Sequence, residues 1–198
     1  MKKIIIAITG PSGVGKSTLG DLLIKRENFI TPTHSTTRAP RSDDKEGFYN
    51  YLSHELFKAF ADNNEFLFWS GDSNEINIDN GNFYGVLNQD YEIVSYCDKI
   101  IVFISYKDIS TILDLKNKGY NIEIVNLVYN DLDTNMIYRL TNSDRSHTIK
   151  DINSRIRIAK EYEEKYKDVL NSSNILKIPT DLVGIEDTYN IVTKKLVR

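Results

Sequence analysis

Residues 10–17 read GPSGVGKS and fit the spacing G-x-x-x-x-G-K-[ST]. Glycines at these positions free the backbone to turn so that successive N–H groups converge, a concavity that suits phosphate oxygens. The run follows the apolar stretch KIIIAI (3–8) and leads into GKSTLGDLLIKR (15–26), where Leu19, Leu22 and Leu23 recur at helical spacing. The helix N-terminus would then face the same anion. Lys16 has the reach for β- and γ-phosphates, and Ser17 carries a hydroxyl suited to Mg²⁺. Gly10, Pro11, Ser12, Gly13, Val14, Gly15, Lys16, Ser17 and Thr18 form the candidate ATP-binding set. Lys16 is the candidate catalytic cation and Ser17 the candidate metal ligand. A chance glycine turn with an exposed lysine is the competing reading, and the strand before and helix after it favour a phosphate loop.

Residues 35–41, STTRAPR, place Arg38 and Arg41 three apart with Pro40 between them. The segment is neither a clean helix nor a clean strand. A guanidinium offers permanent charge and two-point recognition, which suits a phosphate dianion. The bland alternative is a pair of surface arginines in a loop.

The elements that would position these residues follow from the apolar pattern. KIIIAI, KIIVFIS (99–105), IEIVNLVY (122–129) and NILKIP (174–179) read as buried strands of a parallel sheet. Helices are expected at about 108–118, 131–140, 150–170 and 184–196. This alternation predicts an α/β fold with right-handed crossovers. Residues 34–90 interrupt it, rich in Tyr, Phe and Asn, with extended runs GFYNYLS (47–53) and EFLFWS (65–70) and a helix near 53–62. They read as a small, partly β insertion mounted on a core of residues 1–33 and 91–198. Residues 141–149, TNSDRSHTI, read as a polar loop or lid. One domain of 198 residues is the expected organisation.

Taken together, GPSGVGKST and STTRAPR, continued by EGFYNYLSHELFKAF (46–60), NNEFLFW (63–69) and GNFYGV (81–86), resemble the guanylate kinase family of nucleoside monophosphate kinases. The resemblance resumes more weakly over Arg145–Glu161. It implies a P-loop fold with an acceptor-binding insertion and a lid that close on binding. It also implies ATP and Mg²⁺ as cofactors and phosphoryl transfer to a nucleoside 5′-monophosphate. In that family the two arginines hold the acceptor's phosphate, so Arg38 and Arg41 become substrate-binding candidates. Tyr49 and Tyr84 sit where the family uses tyrosine hydroxyls for the same phosphate, and either could instead be a core or rim residue. Arg145 and Arg155 resemble the arginines that close on the transferring group and are the candidate catalytic pair with Lys16. Arg139 is a third candidate near the lid's other hinge.

The departures concern the base. The family reads guanine with a hydroxyl, a glutamate, a second hydroxyl and a strand-end aspartate. This chain has His34, Phe68, Val86 and approximately Ile104 there. A phenyl ring cannot accept from guanine's N1–H and amino group, and donors left unpaired cost about 1–3 kcal/mol. An aromatic wall suits stacking or a methyl-bearing base. His34 and the adjacent Ser35 join Phe68 as substrate-binding candidates, and His34 reads equally well as a packing residue. The insertion SGDSNEINIDN (70–80) holds Glu75 and Asp79, which either restore an acceptor or belong to a longer surface hairpin. Asp108 reads as a helix N-cap rather than as a metal ligand. The lid also lacks the glycines usual in the family.

Composition narrows the classes further. A formal net charge of -3 argues against a nucleic-acid partner, and a single cysteine excludes an internal disulfide and fits a reducing cytoplasm. MKKIIIAITG is too short for a signal peptide and leads into a glycine loop, so it reads as a buried strand. No membrane association is expected, and the chain is expected to be a monomer or homodimer. Three readings follow: a GMP/dGMP kinase, a kinase for another acceptor such as a modified pyrimidine deoxynucleotide or a sugar phosphate, and a non-catalytic interaction module. The intact GVGKS weighs against the last.

Overall fold

A computed structural model describes residues 3–42, 44–71, 76, 81–143 and 147–196. Its centre is a parallel sheet built from the apolar runs. Strand β1 (Ile4–Thr9) leads into helix α1 (Lys16–Glu27). Short strands β2 (His34–Thr36) and β3 (Tyr49–Tyr51) follow, then α2 (His54–Asp62), β4 (Phe66–Gly71), β5 (Phe83–Leu87) and α3 (Asn88–Val94). The chain returns through β6 (Lys99–Phe103), a single 3₁₀ turn (Tyr106–Asp108) and α4 (Ile109–Asn117). It closes with β7 (Ile122–Val128), α5 (Leu132–Thr141), α6 (Ile149–Lys165), α7 (Lys167–Leu170), β8 (Ile175–Pro179) and α8 (Thr180–Leu196).

Among the described residues the parallel sheet runs β6-β1-β7-β8, with β1 flanked by both neighbours. Its strands are mostly apolar, with Glu123, Asn126 and Lys177 as polar exceptions in β7 and β8, because both faces are covered. Ile6, Ile8, Val125 and Leu127 pack with Leu19, Leu23, Met136, Ile156 and Val192 on one face. Ile5, Ala7, Val102 and Ile124 pack with Tyr91, Ile109 and Ile112 on the other. The expected α/β class with a helix-flanked parallel sheet is therefore present. Two helices differ in detail from the sequence pattern. The 150–170 stretch divides at Tyr166, and α8 begins at Thr180 but is interrupted at Gly184, whose φ is 74°. Helix α3 was not anticipated, because its seven residues are too few to display a period.

The second sheet has the order β3-β2-β5-β4, with β2–β3 parallel and the other pairs antiparallel. Helix α2 covers it. Ser53 caps that helix by accepting from the Leu56 N–H at 3.1 Å, and Phe57 drives into Phe66, Trp69 and Phe83. At the junction of the two sheets, the Ile30 carbonyl accepts from the Ile101 N–H at 2.8 Å. No described helix is long and apolar enough to cross a membrane.

Candidate functional site

The phosphate loop lies where β1 ends against β7. Gly10 has φ 140°, and a Cβ there would stand 2.2 Å from the Leu127 carbonyl oxygen. Only glycine lets the loop leave the sheet this close to β7. Gly13 and Gly15 also hold positive φ, 75° and 103°, and carry the chain around to α1. The loop is buttressed from three sides. Thr180 Oγ1 donates to the Val14 carbonyl at 3.0 Å, Tyr129 OH donates to the Ser12 carbonyl at 3.3 Å, and Arg155 Nη1 donates to Ser12 Oγ at 3.1 Å.

Lys16 folds back over this loop. Its Nζ donates to the carbonyls of Gly10 at 2.7 Å and Pro11 at 2.8 Å. Burial, and after it the Arg155 charge, lower its pKa to about 8. A half-buried ammonium held by two carbonyls, with a guanidinium beside it, lacks a counter-anion among the described residues. That is the electrostatic condition of a polyanion site. Ser17 and Thr18 are exposed at the start of the twelve-residue α1. Arg139 flanks the loop, 6.0 Å from the Tyr129 ring, with its Cβ 3.6 Å from where a Gly13 Cβ would lie. Arg145 falls outside the described residues.

The second sheet carries the arginine segment. Arg38 is 5% exposed, and its guanidinium grips the Asp44 carboxylate at two points, Nη1 to Oδ2 at 2.7 Å and Nη2 to Oδ1 at 2.5 Å. Its Nη1 also donates to the Ala39 carbonyl at 2.9 Å. The guanidinium lies 4.5 Å from the Tyr49 ring centroid and 5.8 Å from that of Tyr51. The Arg41 N–H and Tyr51 OH donate to Asp44 Oδ2 at 2.7 and 2.6 Å. The Arg41 side chain is exposed. Tyr84 faces Thr36 in the β2–β5 register, near the root of this segment. Asp44 and Tyr51 were missed in the sequence. The available signal was period two in YNY: Tyr49 and Tyr51 share a strand face.

The residues at the base-reading positions are placed inside. Phe68 is 4% exposed and packs with Val86 and Ile104 in the core shared with the parallel sheet. His34 is buried and neutral: its Nδ1–H donates to the Pro32 carbonyl at 3.0 Å, and its Nε2 accepts from the Phe103 N–H at 3.2 Å. Burial pushes its pKa down to about 4. His34 also stacks on Phe48 with centroids 5.2 Å apart. The buried Ser35 hydroxyl has no hydrogen-bond partner among the described residues. Glu75 and Asp79 lie outside the described residues.

Asp108 stands at the N-cap position of α4, as expected, but its side chain makes no capping bond to that helix and serves the preceding 3₁₀ turn instead. Ser105 is the cap of a reciprocal capping box, in which the Ser105 N–H donates to Asp108 Oδ2 at 2.7 Å. Ser70, on β4, bridges to both residues, 2.8 Å from Ser105 Oγ and donating to Asp108 Oδ2 at 3.1 Å. Burial raises the Asp108 carboxyl to about 6, and its Oδ1 has no partner among the described residues. A carboxyl group therefore does stand at the end of β6, supplied four residues beyond Ile104 by a turn that folds back. Among the described residues no cluster of His, Cys, Asp or Glu could hold a metal by itself.

A central strand that runs into a glycine loop and helix, faced by two cations, together with a side sheet presenting an arginine–tyrosine cluster, defines the P-loop kinase fold. Two solved structures share that fold. The guanylate kinase of Anaplasma phagocytophilum superposes with TM-score 0.65 at 18% identity, covering 99% of this chain and 85% of that one. The shikimate kinase of Bacteroides thetaiotaomicron gives TM-score 0.52 at 12% identity, covering 98% and 99%. The family model described as guanylate kinase matches residues 1–185, and the chain belongs to the guanylate kinase family. The guanylate kinase of Mesomycoplasma hyopneumoniae strain 7448 is 35% identical over 128 residues, 60% of this chain and 59% of that protein. That of Fusobacterium nucleatum is 28% identical over 189 residues, 91% and 94% of the two chains. The chain thus aligns with under two thirds of the length of the first relative and nearly all of the second.

Proposed function

We propose that this chain transfers the γ-phosphoryl group of ATP–Mg²⁺ to a nucleoside 5′-monophosphate, GMP-like by family membership. The observation that carries the reading is the convergence of Lys16, Arg155 and the Ser12 hydroxyl on a loop whose half-buried ammonium has no anion of its own among the described residues. ATP would supply the phosphoryl group, and Mg²⁺, held with the help of Ser17, would neutralise charge on its phosphates. Lys16 and the loop amides hold the polyphosphate, and Arg155, with Arg145, neutralises charge on the group in transit. Arg38, Arg41, Tyr49 and Tyr84 aim the acceptor's phosphate, so that nucleophile and phosphorus meet in line. Ser17 is the protein ligand to Mg²⁺. In this reading residues 34–90 form the acceptor-binding insertion, residues 141–149 the lid, and the remainder the core.

A second reading, a non-guanine acceptor, is favoured by one specific observation. Phe68, Val86 and Ile104 are buried apolar groups where the family reads guanine. A coupled ADP-release assay over all common ribo- and deoxyribonucleoside monophosphates separates the two. Preferential turnover of GMP or dGMP supports the first, and another preferred monophosphate supports the second. No turnover with any of them, in wild type and Lys16→Met alike, refutes the kinase proposal for this panel.

A further inference from the structure

The phosphate grip of the second sheet is already occupied, and the occupant belongs to the chain. Four hydrogen bonds from three residues meet on the Asp44 carboxylate: two from the Arg38 guanidinium, one from the Arg41 N–H and one from the Tyr51 hydroxyl. The Tyr49 ring, 4.5 Å from the guanidinium carbon, limits how Arg38 can tilt. This is a donor set for an oxyanion, gathered from β3 and the Arg38–Asp44 segment. Arg38 holds the Asp44 carboxyl well below the usual carboxylate range, so the internal anion persists at any working pH. The loop that carries it is short. The Asp44 N–H donates to the Arg41 carbonyl at 3.2 Å, the Lys45 carbonyl accepts from the Phe48 N–H at 3.1 Å, and the Lys45 side chain, mostly exposed, pairs with Asp21 on α1. An exposed pair of that kind holds a loop weakly.

We infer that Asp44 is an internal stand-in for the acceptor's phosphate: its carboxylate keeps Arg38 and Tyr51 aligned in the free protein and is displaced when a phosphomonoester binds. This rests on the acceptor reading of Arg38 given above. It adds a specificity rule. A planar monoanion that already makes four bonds is not dislodged by a neutral nucleoside hydroxyl. A tetrahedral dianion with three oxygens carries more charge and more acceptors than the group it replaces. The loop therefore selects for phosphorylated acceptors by requiring them to outcompete Asp44. Affinity is lowered by the fraction of time the grip stands open, so with Asp44 seated nine-tenths of the time or more, removing it gains about tenfold or more in apparent affinity.

The probe is inorganic phosphate, titrated into wild type, Asp44→Ala, Asp44→Asn and the double variant Asp44→Ala/Arg38→Ala, with binding read by calorimetry and by thermal unfolding. Asp44→Ala leaves Arg38 buried without its anion, so it is expected to melt below wild type without phosphate and to recover on addition. Its apparent dissociation constant for phosphate is expected to be at least tenfold below wild type. Asp44→Asn, which keeps an acceptor oxygen, is expected to fall between. An unchanged or weaker phosphate affinity in Asp44→Ala, with Arg38 still required, would show that Asp44 is a fixed positioning partner of Arg38 and overturn the inference. If the double variant binds phosphate as tightly as Asp44→Ala, the anion is not held by Arg38, and the acceptor reading fails with it. Because these readouts need no turnover, a chain that binds phosphate in this pattern yet releases no ADP would sink the kinase proposal alone.

Discussion

Replacing Phe68 by glutamate puts back the residue type with which the family reads guanine, and the structure says what that costs. The ring is 4% exposed and packs with Val86, Ile104 and Tyr106 between the two sheets. Emptying such a site to alanine size costs about 3–5 kcal/mol. Glutamate refills part of the volume but brings a carboxyl that must be buried neutral or charged, at about 1.4 kcal/mol for each unit its pKa is raised. Asp108, bonded to Ser70 two residues along the same strand, already shows that pressure, with its carboxyl raised to about 6. The expected loss for Phe68→Glu is about 4–6 kcal/mol, a large part of the roughly 5–15 kcal/mol that holds a domain together. Phe68→Leu should cost only about 1–1.5 kcal/mol. Urea unfolding of the three proteins measures both losses, and the nucleotide panel run beside it reads specificity. A Phe68→Glu protein within about 0.5 kcal/mol of wild type that also turns over GMP faster would refute the reasoning, because the ring would then line the acceptor pocket and not the core.

Three further outcomes follow from the site. Lys16, with its pKa lowered to about 8, is mostly deprotonated above that pH in the free protein. ATP binding at pH 8.5–9 should therefore take up close to one proton, seen as a buffer-dependent binding enthalpy, and Lys16→Met should abolish both the uptake and ADP release. His34 binds its proton only near pH 4 when folded but near 6.5 when unfolded, so the unfolded chain holds more protons between those values and stability falls on acidification, by up to about 3 kcal/mol. Asp108 acts in the opposite sense from about 6 down to 3.8 and offsets most of that loss, so the test is the difference between the two proteins: on acidification from pH 7 to 4.5 the urea midpoint of His34→Gln should shift upward relative to that of wild type. Gly10→Ala must move a Cβ away from the Leu127 carbonyl, 2.2 Å distant, and should lose ATP binding in calorimetry while retaining the far-ultraviolet spectrum of a folded α/β protein.

The parallel sheet was legible because its strands are apolar runs broken at few positions, Glu123, Asn126 and Lys177 among them, a pattern that suits a sheet covered on both faces. The phosphate loop was legible because glycine, lysine and serine spacing is a statement about local backbone geometry. What the sequence hid depends on side chains that reach across chain distance. Ser70 and Asp108 meet 38 residues apart, at the seam between the sheets, and Thr180 props the loop at Val14 from 166 residues away. His34 was open between base and packing. Its two ring nitrogens are committed to Pro32 and Phe103 in the protein interior, a fact fixed by tertiary fold and invisible in composition.

The seam also bears on how the second sheet could move. The family resemblance implies that the insertion closes on binding, and a rigid swing of the whole insertion would be the simplest such motion. Here the β4–β5 side is rooted by Phe68 and Val86 in the apolar core of the parallel sheet. It is further fastened by Ser70 to Ser105 and by the Lys107 ammonium to the Gly71 carbonyl. Opening that side would expose buried aromatic surface, at about 25 cal/mol per Å² of apolar area. The opposite margin, where Arg38 through Lys45 cross toward α1, is held by the Arg38–Asp44 grip and the Lys45–Asp21 pair. An arriving phosphate replaces the first of these outright, and the second is a surface ion pair of at most about 1 kcal/mol. Motion on acceptor binding is therefore expected to concentrate in residues 38–45, with 66–71 staying seated. Hydrogen exchange with and without phosphate would show it, and equal protection changes at both margins would restore the rigid swing.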